Sequence, residues 1–273
     1  MVKLIAEGRT GAAYAIRSVD NPHLLLCLKT IRQSITDAAK RDEVRDTLKK
    51  EVEILSPLRH RCLPEIFASN IAHPDLPYYI STFHPGQKVS EFKRETRPLQ
   101  LREAFFVVAS LIDVLKYLHA KSREHCDLHS GNVLISHDVF RDGVMMIDFG
   151  SGHRGSDTTP ETLNRGNALL KDHDGLRLDR QIVDRHEARA IFVATDMIGL
   201  GSLLQQMEDV FLHEASEVVR EEYRQLCFEL RNGQLRQWEK IEERFDLVVD
   251  PYRTIGRNAD LFHSTESFAN AVT

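Results

Sequence analysis

The chain has 273 residues, 42% hydrophobic and 28% charged, which fits one large globular domain or two lobes and excludes fibrous and low-complexity classes. Its 36 basic and 41 acidic residues leave a formal net charge of −5, which argues against nucleic acid as the main partner. No stretch approaches the roughly 18 uninterrupted apolar residues of a membrane span, and no basic-then-apolar leader opens the chain, so no membrane partner is expected.

The four cysteines, Cys27, Cys62, Cys126 and Cys227, show no Cys-x-x-Cys spacing and read as reduced thiols of a cytosolic protein. His125, Cys126 and His129 lack a second ligand pair at finger-like spacing, which argues against zinc.

Residues 2–31 alternate short apolar runs with turn formers. Gly8 and Gly11, in EGRTGAAY, fall between two strand-like segments, where small residues let backbone amides approach a phosphate. A plain hairpin would use the same residues. HLLLCLKTI, residues 23–31, reads as a strand carrying one charge, Lys29, on the face of Leu25, Cys27 and Ile31. An ammonium there needs a partner.

Residues 36–55 read as a helix starting at Thr36 or Asp37. At 100° per residue Val44, Leu48, Val52 and Leu55 fall at about 0°, 40°, 80° and 20°, and Glu51 at about 340°. Glu51 thus borders the inward stripe, and a Lys29–Glu51 pair would satisfy both misplaced charges. Residues 76–92 read as a strand ending at Pro85-Gly86, and a charged stretch follows. A boundary between two lobes, 1–84 and 85–273, is expected there.

Residues 99–122 carry a firm helical period with apolar positions at 101, 105, 108, 112, 115 and 118. The helix delivers the chain to HCDLHSGNVLI, residues 125–135, where Asp127, His129 and Asn132 precede an apolar strand. A second strand ends at Asp148, and the intervening Asp142-Gly143 predicts a hairpin that brings Asn132 near Asp148. Two carboxylates and an amide at strand ends suit a hard cation. Residues 151–185 read as a long surface loop. Helices are expected over 195–212 and 216–233, the second closed by Asn232-Gly233, while the last forty residues show no clear organisation.

The order of these elements resembles the protein kinase family: glycine loop, strand Lys, inward helix Glu, Pro-Gly hinge, His-x-Asp loop with Asn five residues on, and Asp-Phe-Gly. The resemblance covers about residues 5–230 and implies a bilobal α+β fold, with a β-rich N-lobe and a helical C-lobe. It implies ATP and Mg2+ as cofactors and a protein substrate. Gly8 and Gly11 match two glycines of the phosphate-covering loop, with Ala6 where the first would stand. Lys29 resembles the phosphate-binding lysine and Glu51 its partner. Asp127 matches the catalytic Asp, and Asn132 and Asp148 match the metal ligands. Thr82 and His84 correspond to the adenine-reading hinge, behind Ser81 as gatekeeper. Asp196, with Leu200 and Gly201, resembles the helix Asp that braces the catalytic loop.

Three departures stand out. Cys126 replaces the Arg that receives a phosphorylated loop, which implies activity without loop phosphorylation. His129 stands where Ser/Thr kinases carry Lys, and DLHSGN is closer to the DLHPGN of aminoglycoside-type phosphotransferases. His129 is expected either to contact the γ-phosphate or to hydrogen-bond locally. No Ala-Pro-Glu precedes Asp196, and Asp184 stands nearest that position. The alternatives to a protein Ser/Thr kinase are a small-molecule phosphotransferase and an inactive kinase-like scaffold. The glycine loop lies so near the first residue that no regulatory domain is expected before it.

Overall fold

The computed structural model describes residues 3–8, 11–92, 99–155, 185–213 and 215–253. Strands β1 (Lys3–Glu7), β2 (Gly11–Arg17), β3 (Leu25–Ile31), β4 (Ile66–Asn70) and β5 (Tyr78–Thr82) form an antiparallel sheet in the order β1-β2-β3-β5-β4. Lys29 lies on the central strand, opposite Ala13 on one side and Tyr79 on the other. This register sets its ammonium at the middle of the sheet, as the alternation of β3 requires.

Helix α1 (Ala38–Leu55) starts where Asp37 caps it, its carboxylate accepting from the Lys40 N–H at 2.8 Å. Its buried face is Val44, Leu48, Glu51, Ile54 and Leu55. Val52, expected on that stripe, is only half-buried, and Ile54 takes the inward place instead. Val44 and Leu48 pack with Ile31, Ile35 and Tyr79 into a small core under the sheet. Burial of each of these aliphatic side chains is worth about 1.5–3 kcal/mol.

Beyond the sheet the chain is mainly helical. Helix α2 (Leu101–Ala120) is apolar on most of its circumference and forms the centre of the larger core. Strands β6 (Gln87–Lys88), β8 (Val133–Ile135) and β9 (Val144–Met146) make a small sheet in the order β6-β8-β9, and β7 (Arg123–Glu124) pairs with β10 (His153–Arg154). Strands β8 and β9 pair antiparallel as the expected hairpin, and their connection holds a short helix, α3 (Val139–Asp142), that ends at Asp142-Gly143. Asp138 caps that turn, and Gly143 leaves it at φ 77°.

The helix expected over 195–212 begins earlier, as α4 (Arg185–Gln206), and breaks at Met207 before α5 (Glu208–Phe211). Helix α6 (Glu217–Arg231) packs on α4, with Tyr223 donating to the Leu204 carbonyl at 2.8 Å. Gly233 at φ 64° lies just past its end. Helix α7 (Trp238–Arg253) occupies part of the C-terminal stretch that had shown no clear organisation. The expected loop over 151–185 falls mostly outside the described residues, as does the Asp184 position within it.

The crossing from sheet to helices runs through Pro85-Gly86. A Cβ on Gly86 would meet the Ile135 carbonyl oxygen at 2.3 Å, so only glycine fits against β8 there. Buried His84 fastens the same turn: its Nδ1 accepts from the Gly86 N–H at 3.0 Å, and its Nε2 lies 3.3 Å from the Gly143 carbonyl. Burial lowers the His84 pKa and outweighs the Gly143 carbonyl and Asp142, which act to raise it. The folded state therefore favours the neutral ring, whose stabilising effect is complete above the ordinary histidine pKa of about 6.5 and is lost as pH falls below it. The melting-temperature advantage of wild type over His84→Gln is expected to be largest near pH 7.5 and to shrink by about pH 5.5, read by thermal denaturation across that range.

Candidate active site

Lys29 reaches from β3 to Glu51 on α1 at 2.6 Å and to Asp148 at 3.3 Å. Glu51 is fully buried, and its second oxygen accepts from the Tyr79 hydroxyl, also at 2.6 Å. Each carboxylate oxygen thus has a strong donor, the condition under which such a charge can leave water. Burial would discharge the Lys29 ammonium, but Glu51 and Asp148 together outweigh it and hold its pKa above the ordinary lysine value. Burial likewise works against the Asp148 charge, yet the Lys29 ammonium prevails and holds it below the usual carboxylate range.

Asp148 sits at φ 68° and opens the Phe149–Ser151 turn, which packs on α1. A Cβ on Gly150 would meet Thr47 Cγ2 at 2.5 Å, so the glycine of Asp-Phe-Gly lets this turn press against the helix carrying Glu51. Phe149 is fully buried, its ring 4.7 Å from that of His125.

The loop from His125 to Asn132 is held by its own polar atoms. Cys126 adopts a left-handed φ of 60°, a conformation that costs a non-glycine residue of order 1 kcal/mol or more. Buried Asp196 on α4 compensates by accepting from the backbone N–H of Cys126 at 2.6 Å and of His125 at 2.8 Å, and it also binds His119 Nε2 at 2.9 Å. His125 lies 3.0 Å from the Ile147 carbonyl through Nε2 and accepts from the Asp127 N–H at 3.3 Å. It therefore ties the Asp127 backbone to the residue before Asp148. The Cys126 side chain packs with Ala188, Ile191, Phe192, Ala194 and Ile198 of α4.

Asp127 is left half-exposed, aimed at solvent with its backbone fixed. Its carbonyl accepts from the Asn132 side-chain amide nitrogen at 2.9 Å, so the amide oxygen of Asn132 is the atom available to a cation. Asn132 and Asp148 are neighbours because the β8–β9 ladder extends by one bond, from the Ile147 N–H to the Asn132 carbonyl at 2.8 Å. An amide oxygen and a half-exposed, ionised carboxylate are hard oxygen donors, and two of them suit magnesium, which keeps waters and phosphate in its remaining positions.

The other expected residues are placed as follows. His129 does bond locally, with Nδ1 accepting from the Gly131 N–H at 3.0 Å. In the neutral ring this leaves the proton on Nε2, which faces Asp127 Oδ1 at 3.9 Å. Gly8 and Gly11 close the β1–β2 turn through an N–H to carbonyl bond of 2.8 Å, and Gly11 lies over the Lys29 stem. The Thr82 N–H is committed to the Glu65 carbonyl, so base reading by Thr82 falls to its own carbonyl. His84 spends its side chain on the hinge turn and on Gly143, which confines any base reading to its backbone. Tyr79 and His125 were not anticipated in these roles. Their sole sequence signal was position, one within a strand and the other in the His-x-Asp triplet.

The family model of the protein kinase domain matches residues 1–168, more than half of the chain. Similar curated proteins include the serine/threonine-protein kinase AfsK of Streptomyces coelicolor, 23% identical over 206 residues, which cover 73% of this chain and 23% of AfsK. Protein kinase PINOID of Oryza sativa is 28% identical over 152 residues, 55% of this chain and 31% of that protein. Death-associated protein kinase 2 of Mus musculus is 25% identical over 156 residues, 56% of this chain and 38% of that protein. The matched stretches thus span between 23% and 38% of the length of these relatives.

Tyr79→Phe removes one donor from a carboxylate that water does not reach. It is expected to lower the unfolding free energy by about 1–3 kcal/mol, read from urea denaturation monitored by circular dichroism.

Proposed function

The chain belongs to the protein kinase family, and from that membership we propose that it is an ATP- and Mg2+-dependent kinase acting on protein Ser/Thr hydroxyls. Its N-lobe ends at residue 84 and its C-lobe runs from 85. The observation that carries the reading is the convergence of Lys29, Glu51 and Asp148 in one charge cluster beside the loop bearing Asp127 and Asn132. The Ser/Thr assignment draws on the names of the relatives. The cysteines are all free thiols, which supports a cytosolic setting.

Phosphoryl transfer needs alignment and charge neutralisation more than covalent help. Lys29, kept charged by its two carboxylates, binds the α- and β-phosphate oxygens under the Gly8–Gly11 turn. Thr82 and His84 receive the adenine through their backbones. The Asn132 amide oxygen and Asp148 hold magnesium, which when bound neutralises charge on the phosphates. Asp127 orients the acceptor hydroxyl and takes its proton as the oxygen–phosphorus bond forms and the bond to the leaving ADP oxygen breaks. His129, with Nε2 turned toward Asp127, is placed to donate to the γ-phosphate.

Cys126 supports activity without loop phosphorylation. At this position kinases regulated by their loop carry a cation, whereas here a neutral side chain is buried against α4. His129 also favours a second reading, transfer to small hydroxyl compounds, as in aminoglycoside-type phosphotransferases.

Asp127→Ala is expected to lower kcat by about 10²–10⁴-fold while leaving ATP binding by calorimetry intact. EDTA should abolish transfer and added Mg2+ restore it. Radiolabelled ATP offered to a protein panel and to small alcohols tests the acceptor class. Label confined to the alcohols would replace the protein-kinase reading. Phosphatase-treated enzyme, verified by mass spectrometry to lack phosphate, should retain its rate.

A further inference from the structure

Outside the Lys29 cluster the protein buries another acid, Glu124, completely. Desolvating a carboxylate costs several kcal/mol unless donors meet it. Here both oxygens are met from other elements: His153 Nδ1 lies 2.7 Å from Oε2, and Arg189 Nε donates to Oε1 at 3.0 Å. A terminal nitrogen of Arg189 also donates to the His119 carbonyl, at the end of α2, at 2.6 Å. The imidazole is further seated on Phe192, with ring centroids 4.4 Å apart.

The positions of these groups along the chain give the cluster its meaning. Glu124 lies on β7, directly before the loop that carries Asp127. His153 lies on β10, directly after the Asp148 turn. Arg189 lies in the first turns of α4, the helix that also supplies Asp196. One carboxylate therefore joins the strand entering the catalytic loop, the strand leaving the metal-binding turn and the helix bracing both. The β7–β10 pairing and the Gly155 N–H to Ser122 carbonyl bond of 2.9 Å run alongside it. Arg154, next to His153, reaches Glu53 on α1 at 3.2 Å, so the same strand is linked to the helix of Glu51.

We propose that Glu124 is a positioning residue of the transfer reaction: held by His153 and Arg189, its carboxylate keeps the strand after Asp148 in register with the strand before Asp127, with no added phosphate required. This rests on the kinase reading above. A fixed internal anion does here what an acquired one would otherwise have to do, and it is present from the moment of folding.

The test uses the 273-residue chain with Glu124→Gln, Arg189→Gln and Arg189→Lys, each shown folded by circular dichroism at the assay temperature. Arg189 is partly exposed, so its variants remain informative if Glu124→Gln fails to fold. Misplacing catalytic groups by a fraction of an ångström is expected to cut kcat between about ten- and a hundredfold in Arg189→Gln, with the KM for ATP changed less than about threefold. Arg189→Lys should recover most of the loss, and the double variant Glu124→Gln/Arg189→Gln should be no worse than the poorer single one. Hydrogen exchange at the Gly155 amide should accelerate in both Gln variants, a readout independent of turnover. A folded Arg189→Gln with wild-type kcat, or unchanged exchange at Gly155, overturns the proposal. A wild-type enzyme that transfers phosphate to no acceptor overturns the kinase reading instead and leaves the exchange result to judge the clamp.

Discussion

A carboxylate without access to water organises this molecule. Glu51 can sit on the inward face of α1 only because Lys29 and Tyr79 each bring a donor to within 2.6 Å. Both donors come from neighbouring strands of one sheet, and their register is fixed by the β3–β5 ladder. The helix therefore cannot roll or slide without stranding a charge, at a cost of several kcal/mol. Lys29 also reaches Asp148, which makes this a three-membered bridge between the sheet, α1 and the turn carrying the expected metal ligand.

The loop from His125 to Asn132 is governed by a second buried acid working differently. Asp196 accepts from backbone rather than from an ion pair alone, and two of its three donors are consecutive N–H groups. Consecutive amides can converge on one anion where the chain turns through the left-handed region, and Cys126 supplies that residue here. The backbone strain is thereby fixed where it sets the direction of Asp127. His125 adds the cross-link to Ile147, so the loops of Asp127 and Asp148 share one hydrogen-bonded frame. Glu124 repeats the pattern one residue upstream with side-chain partners, His153 and Arg189. Acids that water does not reach thus stand on α1, β7 and α4, around two acids left open to solvent, Asp127 and Asp148.

Much of this was legible in the residues. The Lys29–Glu51 pair followed from two periodicities, two for a strand and 3.6 for a helix, each of which put a charge where an apolar residue belonged. The approach of Asn132 to Asp148 followed from two apolar runs joined by a short connection. The helical turn inside that connection was not read, because Asp142-Gly143 serves equally as a hairpin signal and as the end of a helical turn, and Asp138 supplies the cap that favours it. Helix α4 was read ten residues short because its first turns carry several charged residues and present a narrow apolar strip, which packs on Cys126. Helix α7 was missed for a similar reason: its buried positions, Ile241, Val248 and Val249, are sparse among charges.

By itself the sequence determined which side chains are candidates for chemistry and in what order they stand along the chain, since periodicity and punctuation are local properties. It could not determine which atoms satisfy which. That Tyr79 completes the Glu51 carboxylate, that one imidazole spans two loops, and that Glu124 gathers partners 29 and 65 residues away were decided by the tertiary structure. The physical reason is that a buried polar atom must be paired with whatever donor the packing of distant elements brings within about 3 Å.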